Sequence, residues 1–490
     1  MQAYSLRQTR RRVDGAARMS LEAGNVRWSV VAVLAAMALA VLDAGIVNVA
    51  LPTLGRSFGT EPQDTILIVS AYQLAVLVGL LPCAHLAERL GYRRLFVAGI
   101  GIFTAASLIC ASAQTLPVLV AARFAQGLGA SGVMALGIAL LRVALGSERL
   151  PAAIGWNALT VAICSASGPA LGALLLSIGS WRWLFLAGVP FSVMALVGAR
   201  GLPDVELKRG SINAGAIVLY AASGALFFVA AKALTEKPYA SMALLTAAIF
   251  CFALLARLER RRTTPIMPFD LLANSAFRKS VLASICCFTA QSAGIVALPF
   301  YLQSGLGEGP LTTGAILTCW PIAVAITSLV ASRLGRQVEA SAQCAAGALL
   351  LATGLLLGAV IPLQARIWPL AVAASVCGTG FGLFQLANNQ TLFLSAPALR
   401  SAAAGGMQGT ARLTGQTIGT LLAGLVFGSI AESAIAPRIV LGVGAVLALA
   451  SALISAWWPG RRDTGAVGDL GRTHPLWTAG IWHCLEVSGQ

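Results

Sequence analysis

From residue 29 to residue 51 the only polar side chains are Ser29, Asp43 and Asn48, and everything between them is apolar or glycine. Runs of this kind recur along the whole chain at about 20 residues each, the length an α-helix needs to cross the hydrocarbon layer of a bilayer. They predict spans at 29–51, 66–84, 95–113, 117–141, 151–176, 183–201, 212–231, 240–257, 280–301, 311–331, 342–363, 367–390, 402–430 and 437–458. The strict apolar/polar alternation of barrel strands is missing, so the expected class is an all-α polytopic membrane protein with fourteen transmembrane helices. The spacing divides the chain into a basic tail (1–28), a six-helix bundle (29–201) and two inserted helices (212–257). A basic loop (258–279), a second six-helix bundle (280–458) and a tail (459–490) follow.

Composition agrees with the pattern: 58% of residues are hydrophobic, 11% are charged and the mean hydropathy is +0.82, whereas a soluble domain is roughly a quarter charged. The net charge of +16 would suit a nucleic-acid partner, but the placement of the cations argues against one. Of the 34 Lys and Arg residues, only Arg56, Arg182, Lys232, Lys237, Arg366 and Arg438 fall in alternate loops; nearly all others fall in the opposite loops and the tails. Cations concentrate on the cytoplasmic side of membrane proteins, so both termini are expected inside, in the plasma or inner membrane, with the basic tail against anionic lipid. The cysteines and histidines show no metal or disulfide spacing, and there is no phosphate-binding GK[ST] loop. An enzyme, a bound metal, a cofactor and an ATP-driven pump are therefore not expected.

The loop after the second span reads AERLG at Ala87–Gly91, and the loop after the tenth reads ASRLG from Ala331. Both fall on the same predicted side of the membrane, as duplicated six-helix halves separated by a two-helix insertion require.

Four stretches carry a resemblance. LDAGIVNVALPTL in the first span, AHLAERLGYRRL after the second, LVAARFAQGLGASG in the fourth and ASGPALGALL in the fifth resemble, in order and spacing, the motifs of the fourteen-helix drug:proton antiporters of the major facilitator superfamily (DHA2-like multidrug efflux transporters). WRWLFLAGVP, opening the sixth span, is similar to a segment common among them. The resemblance covers residues 41 to 190, and the second half matches mainly in topology. It implies the major facilitator fold, export driven by the proton gradient, a small-molecule substrate and a monomer that works by alternating access. It also implies a conformational latch at Glu88, Arg89, Gly91, Arg93 and Arg94, and an antiporter motif at Gly168, Pro169 and Gly172. Three departures bear on the latch. Ala84 stands where the family usually has Gly, Glu88 replaces Asp with the charge kept, and Ser332 replaces the acid in the second copy.

Asp43 is the one carboxylate well inside a predicted span, at a cost of about 2.5 to 3.5 kcal/mol on insertion scales. Arg123 and Arg412 are the two intramembrane guanidinium groups, and Arg123, in the same half, is the expected partner. Burial disfavours an ionised carboxylate and a nearby guanidinium favours it, so a movement that separates such a pair takes up a proton and the reverse releases it. Three roles are open for Asp43: proton carrier, permanent structural ion pair, or attractor of a cationic substrate. Asn48, Tyr72, Gln73, Gln126, Trp156, Asn157, Gln291, Trp320, Gln385, Asn388 and Arg412 are candidates for a central cavity. The scarcity of acids in the second half points to lipophilic neutral or monocationic substrates. A symporter or specific metabolite exporter is the alternative, and a non-transporting membrane sensor a further one.

Overall fold

A computed structural model of the chain describes residues 2–202, 214–233, 237–259, 269–334, 338–361, 367–397, 400–430 and 435–457. The described residues are helical almost throughout, with no strand among them.

Helix α1 (Gln2–Phe58) is followed by a short turn, α2 (Pro62–Thr65), and by α3 (Leu67–Leu90). Gly91 separates α3 from α4 (Tyr92–Ser112) at φ 99°, a left-handed conformation that glycine adopts without the steric cost a side chain brings. Helical hydrogen bonding then runs from Leu116 to Ile178 as α5. A connecting loop was expected between the fourth and fifth spans, and the structure keeps helical backbone through it. Even so, the chain turns back: Arg123 bonds Asp43 while Gly168 packs on Gly45, only two positions further along α1. A straight helix rising about 1.5 Å per residue would hold Arg123 and Gly168 roughly 65 Å apart. The sixth span is split into α6 (Arg182–Leu186) and α7 (Val189–Gly198), where Pro190 in the first turn of α7 has no N–H to continue the ladder.

The inserted pair is α8 (Ala214–Ala233) and α9 (Pro238–Glu259). The second half comprises α10 (Ser275–Phe300), α11 (Pro310–Leu334), α12 (Ala340–Val360), α13 (Trp368–Ser395), α14 (Ser401–Ser429) and α15 (Ala436–Ala456). Asn274 caps α10, its Oδ1 accepting from the amides of Ala276 and Phe277 at 2.9 and 3.4 Å. A π-helical turn, Tyr301–Gly305, extends α10.

Thirteen spans among the described residues are long and apolar enough to cross a membrane. Helix α14 is long enough to be the fourteenth but more polar, carrying Gln408, Arg412 and Gln416. In the first half α5 packs against α1, α3 and α4; in the second, α10 packs on α14 and α15, and α12 on α13 and α15. The outer surface exposes large apolar side chains such as Ile178, Leu329, Phe250 and Leu453, as a lipid-facing belt requires. Much of the loop 258–279 and the tail 459–490 lie outside the described residues, as do the side chains of most of the basic tail and of Ser332.

The halves meet along two seams. On one, α3 and α14 run together with small residues in the contact: Gly409 lies against Leu80, Gly406 against Leu81, and Thr420 donates to Gln73 Oε1 at 2.8 Å. On the other, α5 and α11 approach so closely that a Cβ on Gly314 would stand 2.8 Å from the Pro169 carbonyl oxygen.

Candidate functional site

The fold brings Asp43 of α1 against Arg123 of α5, with relative exposures of 6% and 1%. Arg123 Nη1 donates to Asp43 Oδ2 and, at 2.6 Å, to Gln126 Oε1. Gln126 sits one helical turn from Arg123, so both reach the same carboxylate; its Nε2 donates to Asp43 Oδ1 at 2.9 Å and to Ser107 Oγ of α4 at 2.8 Å. The Arg123 Nε donates to the Ile68 carbonyl at 3.3 Å. Its guanidinium carbon lies 4.3 Å from the Tyr72 ring centroid and 5.9 Å from that of Phe185. Such a charge-assisted, bridged network satisfies the carboxylate where water cannot. The network is enclosed in this conformation. Ser107 gave no signal in the sequence, being one hydroxyl on an apolar helix.

Gly168, Pro169 and Gly172 lie at the junction of α1, α5 and α11. A Cβ on Gly168 would meet the Gly45 Cα at 3.1 Å, and one on Gly172 the Ile46 carbonyl oxygen at 2.8 Å. Pro169 faces Gly314 of the other half. The segment therefore packs on α1 of its own half and on α11 of the other. Gly91 turns the loop between α3 and α4, where Glu88 and Arg93 are each engaged by neighbours, Arg94 is exposed, and the buried Nε and Nη1 of Arg89 have no hydrogen-bond partner.

The cavity candidates separate into three groups. Asn388 is committed within the second half, bonding Ser280 Oγ and Ser284 Oγ of α10 at 2.6 Å each, and Gln73 is held by Thr420. Trp156 stands 56% exposed, and Gln385 is half-buried. Asn48, Asn157, Gln291, Trp320 and Arg412 each keep a buried polar atom without a protein partner, as does Thr417. Orphaned polar atoms are costly inside a protein, and this set belongs to helices of both halves, the arrangement expected around a polar path between them.

Gln303, a polar span-end residue expected along the central path, instead forms a polar clasp that joins the halves at the rim where α1 ends. Gln303, in the π-helical turn, donates through Nε2 to the Val49 carbonyl at 2.9 Å, and its Oε1 accepts from Thr53 Oγ1 and Arg56 Nη2 at 3.3 Å each. π-turns interrupt regular helix and concentrate at functional positions.

Comparison with known proteins adds three findings. The family model described as Major Facilitator Superfamily matches residues 33–420. The chain is 35% identical over 443 residues to the "Uncharacterized transporter YebQ" of Escherichia coli (strain K12), covering 87% of this chain and 94% of that one. It is 31% identical to the "Multidrug resistance protein Stp" of Mycobacterium tuberculosis (strain CDC 1551 / Oshkosh), covering 81% and 75% respectively. Among solved structures, that of the peptide transporter POT in complex with sulfate superposes with a TM-score of 0.66 at 15% identity, over 87% of this chain and 92% of that one, a likeness of fold.

Proposed function

Because the chain belongs to the Major Facilitator Superfamily and is therefore a multi-pass membrane transporter rather than an enzyme, we propose that it exports lipophilic small molecules in exchange for protons. The observation that carries the coupling is the sealed network of Asp43, Arg123 and Gln126, a titratable group whose ionised form depends on the registry of two helices. In the closed registry the carboxylate is ionised and fully satisfied. Sliding of α5 along α1 at the Gly45–Gly168 contact opens the network, admits water and lets the carboxylate take a proton; reclosure expels it. Relatives named for multidrug resistance support the efflux direction.

In this reading both termini are cytoplasmic and the loop with Glu88, Arg89, Gly91, Arg93 and Arg94 faces the cytoplasm. The Gln303 clasp then closes the external rim, so the structure represents a state sealed toward the outside. Of the two substrate classes expected from composition, the monocation is disfavoured, since both oxygens of Asp43 are already bonded.

The test is proton movement in vesicles reconstituted with the full chain. Adding a transported lipophile should release or consume protons with the wild type. The Asp43→Asn variant, present at equal level, should lose that coupled movement at least tenfold. Coupled movement undiminished in Asp43→Asn would remove the carboxylate from the mechanism.

A further inference from the structure

The charges of the central region do not balance. Asp43 and Arg123 cancel, and Gln126 is neutral, so the first half contributes a buried pair without net charge. Arg412 of α14 belongs to the second half; its neighbour Leu413 packs in one apolar cluster with Tyr72, whose ring lies against Arg123. Arg412 is only partly accessible; its Nε is enclosed without a hydrogen-bond acceptor, and among the described residues no carboxylate forms an ion pair with it. An unpaired guanidinium at this depth is strongly disfavoured unless something supplies acceptors. No acid lies within α10 to α15 to do so from the same half. On the same helix as Arg412, Thr417 keeps a buried hydroxyl without a partner, and Gln291 and Trp320 on α10 and α11 keep an unpaired carbonyl oxygen and an unpaired indole N–H.

We propose that Arg412 is the anchor of the substrate site and that the transported lipophile bears an acidic group, a carboxylate or its equivalent, which the guanidinium binds. This rests on the export reading above and names the substrate class for it. A planar guanidinium presents paired N–H donors to a carboxylate, which an amide of the same shape matches poorly and an amine repels.

The experiment measures binding to the purified full-length protein in lipid nanodiscs with three isosteric probes: 2-naphthylacetate, 2-naphthylacetamide and 2-naphthylethylamine. The expected order is carboxylate over amide by about tenfold, one good charge-assisted contact, with the amine weakest. Arg412→Gln should erase the carboxylate preference and Arg412→Lys should keep part of it, with melting temperatures reporting that both variants fold. Should Arg412→Gln fail to fold, the wild-type order and the Arg412→Lys shift still decide. Equal binding of carboxylate and amide by the wild type, no binding of the carboxylate, or a preference that survives in Arg412→Gln overturns the proposal. So does a variant that loses proton coupling with probe discrimination intact, since Arg412 would then serve only as an alternate partner of Asp43. Binding is read without transport, so loss of coupled proton movement in the wild type would defeat the export reading while leaving the carboxylate preference to stand or fall by itself.

Discussion

At the scale of single residues, the central network depends on an amide that links two charges. Gln126 accepts from Arg123 and donates to Asp43 and Ser107, so a side chain expected to line a cavity serves as the bridge of an ion pair. Gln126→Leu keeps the volume and removes all three bonds, leaving buried acceptors and a donor unsatisfied at about 1 to 3 kcal/mol. A fall in melting temperature in detergent, larger than for Ser107→Ala, is the expected result; equal and negligible shifts would mean that the Asp43–Arg123 pair is self-sufficient. The pair itself was legible in the sequence, because one carboxylate and one guanidinium in spans of the same half have few other ways to be satisfied. Ser107 was not, since a lone hydroxyl on an apolar helix is equally well bonded to its own backbone.

At the scale of helices, glycine sets how closely the moving parts approach. A methyl group on Gly172 meets backbone atoms of Ile46 at 2.8 and 3.1 Å, so Gly172→Ala must push α5 away from α1. The expected outcome is a loss of 1 kcal/mol or more, as overpacking costs about 1 to 3 kcal/mol, together with slowed exchange. Gly155→Ala, where nothing lies within 4 Å, serves as the control and should leave melting unchanged or raise it. A variant at Gly172 that melts and transports like the wild type would show that the α1–α5 contact is loose. The element boundaries read from hydropathy fall within a few residues of the helix breaks at Gly91, Asn274 and Pro310, whereas Pro190 splits the sixth span, which hydropathy reads as one. They failed between the fourth and fifth spans, where helical backbone continues through a stretch that holds Gly146 and Pro151.

At the scale of the whole molecule, the inserted hairpin answers a question that periodicity could not. Tyr220 of α8 donates to the Leu77 carbonyl of α3 at 3.0 Å, and one apolar cluster joins Leu81, Tyr220, Leu255, Phe277 and Met407. Helices α8 and α9 therefore cover the α3–α14 seam and touch both halves. The opposite closure is the Gln303 clasp, and it too can be tested. Cysteines introduced by Thr53→Cys and Gln303→Cys and bridged with a short bifunctional thiol reagent should hold that rim shut and stop transport, whereas either single substitution treated alike should retain it. Transport that continues in the bridged protein would show that this rim does not open. The sequence by itself determined the membrane-spanning class, the number of helices, the family and the small set of charges that lipid cannot hold, because apolar length and the cost of burying a charge are local properties. Only the tertiary structure decided that Asp43 is enclosed by Arg123 and Gln126, that Gln303 clasps the two halves, and that Arg412 is left without a counter-charge. Each of these is a meeting of side chains far apart in the chain, and helical periodicity fixes which face a residue occupies without fixing which helix will face it.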